Sequence, residues 1–321
     1  MAHVSVPSVP YTPQFYYVFQ EPPSLDTARR THEMTSAVHS WFDAGIPFFT
    51  MQAIRDVCQQ LDRFNKNGRK ILVKGLDGTM VEYKIMTGRK IRCFEPNREW
   101  IVGKPLLYYV PIQTLTSVEL DNKPGVACCN LVVRYEIEVR DKYTKEIIND
   151  CQHLSFEEVQ RFFVTMREIW EASQPCKQLR SMLASKRTQL KVTKIVSFAC
   201  ASVSHDHRSR EARRAAFQHA LILTLRDIFD KGRGKYNKIR CYAQDPIYTS
   251  VDKLVLQHFG IDVLDNPRGL LEVDDFSVVI SCAADFCVKQ IVSDLAKPAM
   301  MIWDRVHEDA EADETICGLP W

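Results

Sequence analysis

The sequence predicts an α/β protein: a Rossmann-like, mostly parallel five-stranded sheet in the C-terminal part, with an N-terminal α+β extension before it. Between Val192 and Val306, five short apolar runs stand at Val192–Ala199, Lys238–Ala243, Ile261–Leu264, Phe276–Cys282 and Ala299–Trp303. Helix-length amphipathic segments separate them, and strands alternating with helices argue for βαβ units and a parallel sheet covered on both faces. Ligands on such sheets bind beyond the carboxyl ends of the strands, near the point where strand order reverses. The loop expected there reads Cys200-Ala201-Ser202-Val203-Ser204-His205-Asp206-His207 and holds no glycine.

The elements follow in order. Residues 1–33 carry Pro7, Pro10, Pro13, Pro22 and Pro23, a density that opposes both helix and sheet, so an extended or disordered arm is expected. Met1 to Tyr17 lacks a basic segment followed by an apolar one, so no signal peptide is expected. From Met34 the pattern is helical, with Val38, Trp41 and Phe42 on one face and Gly45 as the stop. Thr50 offers an N-cap for a second helix with Ile54, Val57, Leu61 and Phe64 on one face, closed by Asn67-Gly68. Lys70–Lys74 and Met80–Met86 read as a hairpin around Leu76-Asp77-Gly78-Thr79. Thr87–Lys104 is charged and reads as irregular. Leu106–Val110, Leu115–Leu120 and Leu131–Arg140 read as strands, with Tyr143–Ile148 as a return partner. Ser155 and Glu158 form a capping box for a helix with Val159, Phe162, Phe163, Met166, Ile169 and Trp170 on its apolar face. The basic stretch Ser185–Lys191 marks a boundary between an N-terminal region, 34–189, and the sheet domain, 190–306. The acidic tail 307–321 is expected to be solvated.

Bulk composition narrows the function classes. A chain of 321 residues with 45% hydrophobic and 10% aromatic residues can bury a sizeable core. A net charge of +2 gives no global field for nucleic acid or an anionic membrane. No apolar run approaches the roughly 18 residues of a membrane span. Eleven scattered cysteines without a CxxC pair point to a reducing compartment, cytoplasm or nucleus.

The helix after the first strand, about Ser209 to Lys231, presents Phe217, Leu221, Leu225 and Ile228 to the sheet. Its first turns and their approach hold Arg208, Arg210, Arg213 and Arg214, although a helix N-terminus favours anions. One reading is an anion site of arginine forks and free helix N–H groups, with Ser202 and Ser204 adding hydroxyls. The other is a solvated surface with Asp206 and Glu211 as partners. A standard dinucleotide site is not expected, because Cys200, Ala201, Ser202 and Val203 all carry a Cβ where backbone must approach a diphosphate. Asp245 stands where a Rossmann acidic residue meets a ribose, but it precedes Pro246, which favours shaping the turn and capping the helix from Thr249 over a ribose contact. Asp274-Asp275, the His205/His207 pair and the Cys282/Cys287 pair read as turn, surface and core residues rather than as metal or nucleophile sites.

The second half resembles the sensitivity-to-red-light-reduced family of eukaryotic regulators. The likeness rests on the first strand, its serine-containing loop and the long helix with Arg214 and Gln218-His219-Ala220-Leu221. Asp245-Pro246-Ile247-Tyr248, Leu254-Val255-Leu256, Gly260-Ile261-Asp262-Val263-Leu264 and Val278–Leu295 extend it, so that it covers roughly residues 190–306. Val288-Lys289-Gln290-Ile291-Val292 and Pro298–Trp303 look most like filamentous-fungal members. The resemblance implies light and clock signalling, cytoskeletal stability or control of haem biosynthesis, and it carries no agreed catalytic residues. This chain departs from the family at two turns. A Gly-x-Gly-Ser-type turn is here Ala199-Cys200-Ala201-Ser202, and a Pro-His-Cys step is replaced by Cys282-Ala283-Ala284-Asp285.

The expected function is that of a non-catalytic regulatory or interaction protein with protein partners. The alternative is a nucleotide- or S-adenosylmethionine-using enzyme with Ser202, Ser204, Arg210, Arg214 and Asp245 around a modified pocket. The residues name no cofactor and no metal site, and nucleic-acid binding ranks third.

Overall fold

The computed structural model describes residues 26–63, 68–93, 95–116, 129–148, 154–204, 209–234, 237–282 and 284–304. Most of the N-terminal arm, the loop residues His205, Asp206, His207 and Arg208, Phe64 and Asn67, and the acidic tail lie outside them.

The first helix, α1 (Asp26–Asp43), begins at Asp26 rather than Met34. Residues 26–33 lack the apolar periodicity that betrays a buried face, although Ala28, Arg29 and Arg30 are sound helix formers. Gly45 ends the helix at φ +68°, where an L side chain would be strained. Thr50 Oγ1 accepts from the Ala53 N–H at 3.2 Å and caps α2 (Met51–Arg63), which buries Ile54 and Val57. The hairpin of β1 (Lys70–Lys74) and β2 (Met80–Lys84) forms as the sequence suggests. The stretch 87–104 is more regular than its charge implies. It contains β3 (Lys90–Ile91) and the start of β4 (Arg98–Tyr109), with Lys90 and Lys145 both paired to Glu99 at 2.8 and 2.9 Å. A register shift between Val102 and Pro105 lets β4 accommodate a proline that cannot donate to the ladder. Leu115 is not in a strand: Pro111 precedes a short helix, α3 (Ile112–Thr116), and 117–120 lie outside the described residues. The strand β5 (Leu131–Asp141) pairs with β4, and Tyr143–Ile148 returns only as a turn with a single bridge, Arg140 to Ile147.

The capping box of Ser155 and Glu158 opens α4 (Phe156–Ala172), and α5 (Gln174–Ala184) follows under a Ser173 cap. Val159 and Phe163 of α4 are buried, whereas Ile169 faces solvent. These helices pack on the far side of the sheet domain: the Trp170 Nε1–H donates to Thr224 Oγ1 at 3.0 Å. The alternation then runs β6 (Lys194–Phe198), α6 (Arg210–Asp230), β7 (Arg240–Gln244), α7 (Ser250–His258), β8 (Asp262–Val263), α8 (Arg268–Leu271), β9 (Ser277–Ser281), α9 (Val288–Leu295) and β10 (Met300–Trp303). All five strands are parallel, in the order β10-β9-β6-β7-β8. Each apolar run of the sequence is thus a strand of one sheet. Every residue of β6 and β9 is buried, as expected of parallel strands covered on both faces.

The chain steps outward from β6 to β7 and β8, then returns to β9 on the other side of β6. Strand order therefore reverses between β6 and β9, and their carboxyl ends define the crevice. On one face Ile195, Ala243, Val278 and Ile280 pack with α4, α6 and α7. On the other, Val196, Phe198, Tyr242 and Val279 pack with α9 and the N-terminal elements. The helix α6 lies between the sheet and α4, so it is buried on more than the expected stripe. Ile222, Leu223, Leu225 and Phe229 are buried, while Phe217 is only partly covered and lies 6.4 Å from the Trp170 ring. The N-terminal part is bonded to the sheet domain: Asp294 Oδ2 accepts from the Phe48 and Phe49 N–H groups at 2.9 and 3.0 Å. Asn266 Oδ1 accepts from Leu107 N–H at 2.9 Å, and Arg268 holds both carboxylate oxygens of Asp62 at 2.8 Å.

Candidate functional site at the carboxyl ends of the strands

The loop leaving β6 turns sharply without glycine. Ala199 and Ala201 hold φ values of +54° and +63°, in the left-handed region that a Cβ makes costly by about 1–2 kcal/mol per residue. Two alanines thus take up left-handed backbone that ordinarily favours glycine. Neighbouring contacts hold it there. The Ala199 N–H donates to Gln244 O at 3.1 Å, and the Ala201 N–H donates to Asp245 Oδ2 at 2.8 Å. Asp245 Oδ1 accepts from Ile247 N–H at 3.1 Å, an Asx turn through Pro246. Asp245 thus shapes the turn and fastens the neighbouring loop; it does not cap α7.

That cap belongs to Thr249, and its capping-box partner Asp252 has a fully buried carboxylate. Thr249 and Asp252 form a capping box at the start of α7. The same carboxylate reaches across to the β6 loop. Its Oδ1 accepts from the Val203 and Ser204 N–H groups, each at 2.9 Å. Its Oδ2 lies 2.7 Å from Ser202 Oγ, 3.1 Å from Ser204 Oγ and 2.8 Å from Thr249 N. Successive N–H groups flanked by hydroxyls make an anion-binding concavity. Here the anion is a side chain of the protein itself.

The remaining sequence candidates separate around this centre. Ser202 and Ser204 are buried and bonded to Asp252, and Asp245 lies beside them on the β7 side. Arg210, Arg213 and Arg214 are exposed, and Arg214 faces Asp304 at 4.0 Å, beyond the end of β10. The Ser209 hydroxyl, not an arginine, caps α6 by accepting from Ala212 N–H at 3.0 Å. Arg208, His205 and His207 fall outside the described residues. Asp274 accepts from Phe276 N–H and pairs with Lys194 at 3.1 Å, and Asp275 accepts from Lys297 N–H. Burial raises the Cys282 thiol, and pushes that of Cys287 up to about 12, which keeps both protonated at neutral pH. Among the described residues, no three His, Cys, Asp or Glu side chains are grouped to hold a metal ion.

Three residues of the centre escaped the sequence reading. Asp252 was visible only as the fourth residue of a Thr-x-x-Asp capping box. His219 is fully buried; its Nδ1–H donates to Ala215 O at 2.7 Å, so Nε2 accepts from Tyr248 OH at 2.8 Å. Burial pushes its pKa down to about 4, so the ring is neutral. Tyr248, named above only as part of a motif, has its hydroxyl pushed well above the ordinary range by burial. Burial also pushes Asp245 up to about 6, against the opposing pull of its two N–H donors, with Asp285 and Asp252 adding negative potential.

Residues 167–315 match the family model of the SRR1 domain. The match spans 149 of the 321 residues and is consistent with an SRR-like domain there. The match starts inside α4, ahead of the boundary at residue 190 that the motifs gave, in keeping with the packing of α4 and α5 on α6. No curated protein and no solved structure matches the chain. No described helix is long and apolar enough to cross a membrane. Within the matched residues, the β6 loop, Asp245 and the Asp252 centre all sit at the strand-order reversal, where the fold places ligands.

Proposed function

We propose that the SRR1 domain of this chain works as a non-catalytic regulatory module that binds other proteins and does not hold a dinucleotide at the end of β6. One observation carries this. The Asp252 carboxylate already takes the Val203 and Ser204 N–H groups and the Ser202 hydroxyl, the donors a cofactor phosphate would need. A diphosphate entering there would meet a buried like charge and displace charge-assisted hydrogen bonds worth about 1.5–3 kcal/mol each. The family resemblance to regulators supports the same role. A reducing setting, cytoplasm or nucleus, fits the buried free thiols of Cys58, Cys176, Cys200 and Cys241. Protein partners fit this role; membrane and nucleic acid do not.

A second function, a nucleotide- or S-adenosylmethionine-using enzyme, draws on the left-handed Ala199 and Ala201, since backbone strain of that kind gathers at ligand sites. Thermal denaturation with NAD, ATP, S-adenosylmethionine and haem separates the two, because a ligand of the folded state raises the melting temperature by mass action. The regulatory role predicts no shift that Asp245→Asn abolishes. A clear shift with one of them, lost in Asp245→Asn, would establish the second function instead.

A further inference from the structure

We infer that this chain holds a second anion site, for a small molecule bearing two or more phosphate groups, at the end of the sheet opposite the β6 loop. A cavity of about 380 Å³ opens between the segment leading into β6 and the end of α6, lined by Arg187, Lys191, Lys231 and Arg233 and by Thr188 and Thr193. Its lining includes Leu190, Val192 and Phe229 but no carboxylate. The volume lies within the range of small-molecule sites.

Two of the cations are fixed in place by neutral groups. The Arg187 Nη1–H donates to Lys231 O at 2.6 Å, and the Arg233 Nη2–H donates to Val192 O at 2.7 Å. Each guanidinium presents five N–H donors, so both keep hydrogens for a ligand. Arg187 and Arg233 are half-buried, which limits the freedom a ligand would have to freeze out. Lys191 and Lys231 are exposed on the two rims. The nearest carboxylate in sequence, Asp230, is engaged elsewhere: it accepts from Ile239 N–H at 2.7 Å and lies 3.8 Å from Lys238.

The negative pole at the C-terminus of α6 accounts for one or two cations there. It does not account for four around a single concavity, where they repel one another. A polyphosphate satisfies both rims at once. The alternative polyanion, a nucleic-acid strand, calls for a basic track continuing beyond the cavity, and a net charge of +2 provides no such field.

The test is calorimetric titration of the full chain with inorganic triphosphate, at low and high salt, beside the Lys191→Gln/Lys231→Gln double variant. The variant leaves the two guanidinium–carbonyl bonds intact, and its melting temperature should match the wild type. Saturable one-site binding that weakens with salt, with Kd raised roughly tenfold in the variant, is expected. No binding, or equal binding by both proteins, would overturn the site. So would tight binding of a single-stranded oligonucleotide that triphosphate does not displace, which would make this face a nucleic-acid surface.

Discussion

Replacing Asp252 with alanine should convert an internally satisfied loop into an empty anion site. The carboxylate is fully buried and is the acceptor for Val203 N–H, for Thr249 N–H and, at 2.9 Å, for Ser204 N–H. Ser204 N–H retains the Ser202 hydroxyl at 3.1 Å, but Val203 and Thr249 lose their acceptor. Orphaning a buried donor costs about 1–3 kcal/mol. The Thr249 N–H is the half of the capping box that is lost, whereas its hydroxyl keeps the residue-252 N–H. Two orphaned donors sum to a loss of about 2–6 kcal/mol, or a drop in Tm of about 3–9 °C for a chain of this size. The vacated nest should then bind an external anion: sulfate at about ten times its Kd would return about 1.4 kcal/mol by mass action. The assay is thermal and urea denaturation of Asp252→Ala and wild type across a sulfate series. Because sulfate stabilises folded proteins in general, the difference between the two shifts is what counts. A loss below about 1 kcal/mol, or equal stabilisation of both proteins by sulfate, would refute the reasoning.

Other substitutions probe the same neighbourhood and the interface behind it. Asp245 has its folded-state pKa raised from 3.8 to about 6, so its contribution to stability falls as pH climbs through that window. His219 is lowered from 6.5 to about 4, so its contribution is full above its unfolded value and is lost as pH falls toward 4. The destabilisation caused by Asp245→Asn should therefore shrink by about 3 kcal/mol from pH 4 to 6, while that of His219→Gln should grow by about the same amount from pH 4 to 6.5, in urea titrations. A pH-independent cost in either variant contradicts the assignment. Glycine at Ala199 or Ala201 relieves about 1–2 kcal/mol of left-handed strain and adds back unfolded-state entropy, for a net gain of up to about 1 kcal/mol by chemical denaturation. A loss of stability at both positions would mean that the methyl groups matter more than the strain. Asp294→Ala should cost about 2–3 kcal/mol by freeing the Phe48 and Phe49 N–H groups, and hydrogen exchange should rise first in α2. Unchanged exchange there would show that the N-terminal part is held by its apolar face alone.

The sheet was legible because strands buried on both faces need unbroken apolar runs, and five such runs sit between helical patterns. What escaped notice had specific causes. β3 and the start of β4 hide in a charged stretch, since their exposed Lys90 and partly buried Arg98 and Glu99 obscure the alternation. The surroundings of α6 were misjudged because an amphipathic stripe assumes one buried face, whereas this helix is covered by the sheet and by α4. The site was half legible. Ser202, Ser204 and Asp245 gather at the strand-order reversal, but Arg210 and Arg214 are exposed and Arg214 faces Asp304. The decisive partner, Asp252, is distant in sequence from the loop it satisfies, and a local capping motif gives no hint of that second role. The left-handed alanines defied the rule that assigns such backbone to glycine, because hydrogen bonds from their N–H groups to Gln244 O and Asp245 Oδ2 hold them there.

The most direct measurement is a crystal structure of the chain soaked with a dinucleotide. Asp252 accepting from Val203 and Ser204, with no diphosphate beside Ala201, is the predicted result. A diphosphate bound by those two N–H groups, with the Asp252 side chain turned away, would contradict it.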